Sequence, residues 1–255
     1  MLFFFFSVVS ANPKIFFPEG SFQQGSDFAP DETPKHEVKL KAFSMDKTEV
    51  SIRDFERFVQ QGWTQDQHWS KEGLDWKAAN PNGAGKENRA AGRNANHPVV
   101  AVTWYEAQAY CSWKGGHLPT EAQWERAACP TSGRFAWGDD EEKEAAWYSG
   151  GKYGHLQSVL TKEVQQAPKD QQTKEGLLHT TGNVWEWTSD WYHAQYYQQQ
   201  VKDDPSGPTQ GRWKTMRGGS FMNLPSYCSC THREPAVPER VSFTVGFRCA
   251  YEVEQ

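Results

Sequence analysis

Twelve tryptophans in a chain of 255 residues that is only 37% hydrophobic constrain the fold more than any other feature of the sequence. Much of the interior has to be built from large rings, and such a core favours irregular structure pinned by aromatic plugs. The length fits one irregular domain of mixed architecture, since single domains run to about 250 residues. No internal repeat and no linker divides the chain.

The charge balance, 27 Lys plus Arg against 32 Asp plus Glu, gives a net charge of -5 with no basic stripe. Phosphate binding needs a concentrated basic surface, so nucleic acid is not an expected partner. The one long apolar run, MLFFFFSVVSA at residues 1–11, is far short of the roughly 20 residues that span a bilayer. It reads as a signal-like segment of a secreted or periplasmic protein, with Val9, Ser10 and Ala11 near a cleavage point, although no Lys or Arg precedes it. The alternative is a buried first strand. Residues 12–255 are then a single domain. Of the five cysteines, at least one stays unpaired in a monomer if the others form disulfides.

From Ile15 to Lys47 the pattern is strand, turn, strand, with Val38, Leu40 and Ala42 alternating with charged neighbours. Three helix starts follow, each with a capping signal: Ser51 with Asp54, Thr103 with Glu106, and Thr120 with Gln123. Ile52, Phe55, Phe58 and Val59 share one helical face. Residues 62 to 97, rich in Gly, Asn and Pro, read as a structured loop held by Trp63, Trp69 and Trp76. Residues after Cys129 read mostly as loop until Gly182. Strand chemistry returns in VWEWTSDWY, TMRGGSF and FTVGFRCAYEV. Helices embedded among short strands predict a loop-rich α+β domain.

Six segments in order, MDKTEVSIRDFERFV, HPVVAVTWYEAQAYCSWKGGHLPTEAQWERAA, FAWG, GNVWEWTSDWY, MRGGSF and VGFRCA, span residues 45 to 250. Each alone is weak, but in this order they resemble the formylglycine-generating enzyme family, the sulfatase-modifying factors. That resemblance implies a loop-rich variant of the C-type-lectin-like fold. Two of the segments also have plain structural readings. Gly115, Gly116, Pro119, Thr120 and Trp124 turn the chain and start a helix, and Arg217 to Ser220 suits a tight turn with close backbone approach.

The resemblance implies a calcium site in GNVWEW, with His179, Gly182, Val184 and Glu186 at the matching positions. Hard Ca2+ wants oxygen ligands, whereas the imidazole of His179 suits softer metals. The alternative is a buried Glu186 satisfied by backbone amides. For catalysis, family oxidases bind copper(I) through two cysteines at C-x4-C spacing and convert a sulfatase cysteine to formylglycine. Cys228 matches the second cysteine, but Asn223 stands where the first belongs, and an amide oxygen does not replace a thiolate on this ion. Leu224 and Thr244 also depart from the polar residues usual beside the reacting thiol. Copper is therefore not expected, and the chain resembles a divergent member lacking one active-site cysteine.

Cys111 and Cys249 match a family disulfide. The family's other bridge is displaced, because Arg233 occupies a position where some members have cysteine and Cys129 is one place beyond the usual partner position; a Cys129–Cys230 pair is one alternative that the sequence leaves open. With both bridges formed, Cys228 is the remaining thiol, either reactive or inert packing. The leading expectation is a protein that keeps the peptide groove, floored by Trp185, Ser220, Tyr227 and Arg233, and binds a peptide or protein partner without formylglycine-generating activity. The alternatives are a copper-dependent oxidoreductase with a remodelled site, an iron-dependent one like the sulfoxide synthases, and a ligand-display module. The eight histidines form no H-x3-H-x-E segment, which weakens the iron reading.

Overall fold

Pro18 lacks a backbone N–H and ends the apolar stretch Ile15 to Phe17, so the chain enters as two short strands, β1 (Lys14–Phe17) and β2 (Gly20–Gln24). The computed structural model describes residues 12–83, 94–129, 133–139, 163–165 and 172–253. The signal-like segment at 1–11 lies outside them. In β3 (His36–Leu40) the alternation buries Val38 and Leu40, and β4 (Phe43–Asp46) follows after two residues. Four strands thus stand where strand, turn, strand is expected. β2 and β3 pair antiparallel, with Phe22 opposite Val38.

Ser51 caps α1 (Ile52–Gln61) by accepting a bond from the Asp54 N–H at 3.2 Å. This helix buries Ile52, Phe55 and Phe58. Within the stretch expected as a loop lies a second helix, α2 (Lys71–Ala79), capped by Ser70. Nine residues with Gly73 near the start carry no helical stripe that the sequence could show. The tryptophans do plug this region: Trp63 meets Trp69 edge-on at 4.9 Å, Trp69 stacks on Trp76, and Trp76 stacks on Tyr105. Full capping boxes open α3 (Trp104–Trp113) and α4 (Glu121–Ala128), at Thr103 with Glu106 and at Thr120 with Gln123.

The second half contributes β5 (Trp185–Trp191), β6 (Lys214–Arg217), β7 (Glu234–Ala236) and β8 (Val245–Gly246), which form a sheet in the order β7-β6-β5-β8. β7 is three residues around Pro235, too short to stand out as a strand in the sequence. The last strand, β9 (Ala250–Glu252), returns to β4, so both ends of the described chain share the sheet β1-β4-β9. The main core gathers Phe55, Phe58, Tyr110, Trp185, Trp187 and Phe247 between α1, α3 and the four-stranded sheet.

Two disulfides tie these layers together. Cys111 on α3 is bonded to Cys249 just before β9, and Cys129 at the end of α4 is bonded to Cys230. Cys228 is a free, buried thiol. Among the described residues no helix is long and apolar enough to cross a membrane.

Candidate functional site

Where β6 ends, Gly218 and Gly219 take positive φ angles of 90° and 73°, a region that favours glycine. A Cβ on Gly219 would run into the Cys228 sulfur and lie 2.9 Å from its Cα. The glycine therefore lets the chain leaving β6 pass directly over the short 3-10 turn Pro225–Cys228. Cys228 is fully buried, its Sγ 3.9 Å from the Ser220 carbonyl, with Trp137 packed against it. Burial pushes this thiol up to about 12, against smaller opposing effects from the backbone of Ser220 and Gly182. At neutral pH it is a protonated thiol and a poor nucleophile.

Asn223 is held in the same turn. Its Oδ1 accepts bonds from the Ser220 N–H at 3.1 Å and the Ser220 hydroxyl at 2.5 Å. Among the described residues the other four cysteines are all in disulfides. Copper(I) prefers soft thiolate ligands, and the donors assembled here, one buried thiol and one amide already engaged by Ser220, do not fit it. Thr244 sits nearby, its carbonyl accepting from the Trp185 N–H at 2.8 Å and its hydroxyl bonded to Ser242.

Of the four residues expected on the groove floor, only Tyr227 is open to solvent. Trp185 and Ser220 are buried. Arg233 is 3% exposed and points inward, bonding Glu121 through Nε at 2.7 Å and Nη2 at 3.0 Å. It belongs to an interior cluster in which Arg217 bridges Glu121 and Glu125. Burial costs a lone guanidinium several kcal/mol, so it turns to the carboxylates of α4. Met222, Leu224, Tyr227 and Phe243, by contrast, are each between 43% and 57% exposed. They are exposed apolar side chains on the two segments that precede β7 and β8, and sequence patterning does not single them out.

The four residues expected to hold calcium run from the turn before β5 to its second residue, Glu186. His179 and Gly182 have positive φ angles of 58° and 79°, and Val184 and Glu186 are fully buried. Glu186, however, gives both oxygens to Arg248, at 2.6 Å from Nε and 2.7 Å from Nη2, and also accepts the Trp124 indole N–H at 2.8 Å. The carboxylate thus already has a cation, and this arrangement does not fit a calcium cage. Glu49, Asn183 and Arg248 are the partners that the sequence reading missed. Asn183 donates to Glu49 at 2.7 Å, and Glu49 is held well above the usual carboxylate range by burial and by its neighbour Glu186.

Asp46, at the end of β4, faces the same arginine. Burial pushes its carboxyl up to about 7, although Cys249 N–H, the Tyr251 hydroxyl and Arg248 oppose the rise. A folded-state value above the unfolded one of about 3.9 means that the native state holds a proton which the unfolded chain has released. The stability this contributes is complete below about pH 4 and is lost as pH rises through about 7. Asp46→Asn, which mimics the protonated form, is expected to remove that decline. Between pH 4 and pH 8 its unfolding free energy, from urea titrations, should gain about 4 kcal/mol on the wild type. An unchanged gap would mean that Asp46 is charged throughout.

Fold and site together define a loop-rich α+β domain of the C-type-lectin-like type, in which buried arginine–carboxylate pairs hold the turns around a single thiol. The chain belongs to the formylglycine-generating enzyme family: residues 6–253 match the model of the sulfatase-modifying factor enzyme 1-like domain. It is 34% identical to the formylglycine-generating enzyme of Streptomyces coelicolor, covering 96% of this chain and 91% of that protein. It is also 34% identical to the serine/threonine-protein kinase pkn1 of Chlamydia caviae, covering 94% of this chain but spanning only 38% of the kinase. Among solved structures, PvdO from Pseudomonas aeruginosa superposes with a TM-score of 0.72 over 94% of each chain at 22% identity.

Proposed function

We propose that this protein uses the family scaffold to hold a peptide or protein partner and does not generate formylglycine. The observation that carries this reading is the environment of Cys228. The thiol is buried and protonated, and the position that would supply a second thiolate holds Asn223, bound to Ser220. The exposed side chains of Met222, Leu224, Tyr227 and Phe243 supply apolar area for contact, and the aromatic ones give it at low entropic cost. The match to part of a protein named as a kinase supports a use of this scaffold apart from formylglycine generation. An exported location is part of the proposal, supported by two disulfides, which persist in oxidising compartments.

The rival reading, copper-dependent oxidation of a sulfatase cysteine, is supported by the match to the Streptomyces enzyme across most of its length. Mass spectrometry separates the two. A sulfatase peptide carrying Cys-x-Pro-x-Arg, incubated with the protein and copper in air, is expected to keep its cysteine mass. Appearance of the formylglycine product, lost again in Cys228→Ser, would establish the oxidase instead.

A further inference from the structure

We infer that His117 and Glu252 together hold a divalent transition-metal ion of the zinc type, at the edge of a cavity lined by none of the residues around Cys228. This is independent of the partner-binding reading. The backbone fixes the two residues relative to each other. His117 exchanges both hydrogen bonds with Ala250, its N–H donating at 2.9 Å and its carbonyl accepting at 2.8 Å, and Glu252 lies two residues further along β9. Side chains two apart on a strand share a face, so the imidazole and the carboxylate are diagonal neighbours within reach of each other.

The imidazole is set up as a ligand. Its Nδ1 lies 2.8 Å from the Leu118 carbonyl; a carbonyl only accepts, so Nδ1 carries the proton and the neutral ring presents its lone pair on Nε2. Metal-binding histidines are oriented by this kind of bond from the other nitrogen. Nε2 is buried and has no hydrogen-bond partner. What it faces is the Glu252 Oε1 at 3.4 Å, an acceptor opposite an acceptor. An imidazolium–carboxylate bond would close to about 2.7–2.9 Å, whereas two tetrahedral ligands at about 2.0–2.2 Å from zinc sit about 3.4 Å apart. Imidazole with carboxylate suits such an ion better than Ca2+. No third His, Cys, Asp or Glu joins the pair among the described residues, so the two remaining positions belong to water or to a donor entering the cavity. That cavity, of about 380 Å3, is lined by both ligands and by Gln123, Ser189 and Asp204. Lys41, the cation on its wall, is turned to Asp204 at 3.6 Å. The Glu252 side chain is 74% exposed and free to swing aside as the ion enters. His232 offers the contrast: at 3.5 Å from Glu234 it contacts the rings of Tyr227 and Trp185, and no carbonyl among the described residues holds its Nδ1.

Isothermal titration calorimetry of zinc chloride into the untagged full chain, stripped by a chelator beforehand, tests this. Wild type and His232→Ala are expected to show one saturable equivalent in the micromolar range. His117→Ala should abolish it. Glu252→Gln should weaken it at least about tenfold, since even an outer partner at a metal site counts for that much. Both side chains reach solvent, and circular dichroism checks that the variants stay folded. Calcium should give no heat that His117→Ala removes. Zinc binding that survives His117→Ala would mean an adventitious ion only, held by other histidines. Unchanged affinity in Glu252→Gln would leave a lone imidazole without its carboxylate, and failure to saturate below millimolar zinc would leave an ordinary ion pair. Each of these three results overturns the inference.

Discussion

Arg248→Met is expected to destabilise the domain by about 3–5 kcal/mol, the range for removing one partner of a buried ion pair. Arg248 has no exposed surface, and its guanidinium binds both oxygens of Glu186 and the carbonyls of Leu178, Asp46 and Lys47. It thereby fastens β4, the turn before β5 and the approach to β9 at one point. Without it Glu186 loses its counter-charge beside Glu49, whose carboxyl is already pushed up by that neighbour. The deficit should shrink as pH falls, because Glu49, whose carboxyl lies well above the usual range, takes up a proton and relieves its repulsion with the unpaired charge. Urea midpoints at pH 5 and pH 8 measure this. The double variant Arg248→Met with Glu186→Gln should recover part of the loss at pH 8. If single and double variants were equally unstable at both pH values, packing volume rather than charge would be what Arg248 contributes.

The same residue shows what a sequence does and does not reveal. The elements with local signatures are legible: the helix starts at Ser51, Thr103 and Thr120 all carry caps, and the alternation of β3 separates its buried from its exposed residues. α2 is not legible, because a nine-residue helix packed through Trp76 and capped by Ser70 has almost no stripe to display. At the site, Asn223 in place of a cysteine can be read directly, since it is a matter of residue identity. The use made of Glu186 and Arg233 cannot be, since an ionisable side chain gives no local sign of its partner. Arg248 meets Glu186 across 62 residues, and Arg233 meets Glu121 across 112. Such pairs form only because the topology brings distant elements together, and they turn an expected metal ligand and an expected groove residue into parts of the interior.

Removing the Cys111–Cys249 bridge is expected to cost about 4 kcal/mol, chiefly through the unfolded chain. The two cysteines are 138 residues apart and the second bridge, Cys129–Cys230, is nested inside that span. With the inner bridge closed, the outer one restricts an effective loop of only about forty residues, which is why the cost falls below the roughly 5 kcal/mol for the full span. The appropriate variant is Cys111→Ala with Cys249→Ala, because both positions are fully buried and serine would add unbonded hydroxyls. Guanidinium unfolding should show a lower midpoint together with a steeper dependence on denaturant, since an unfolded chain freed of a cross-link exposes more surface. A lower midpoint at constant slope would assign the loss to packing between α3 and the residues before β9. Cys228→Ala provides the control: its thiol closes no loop, so that variant should leave the slope unchanged and isolate the contribution of the bridge.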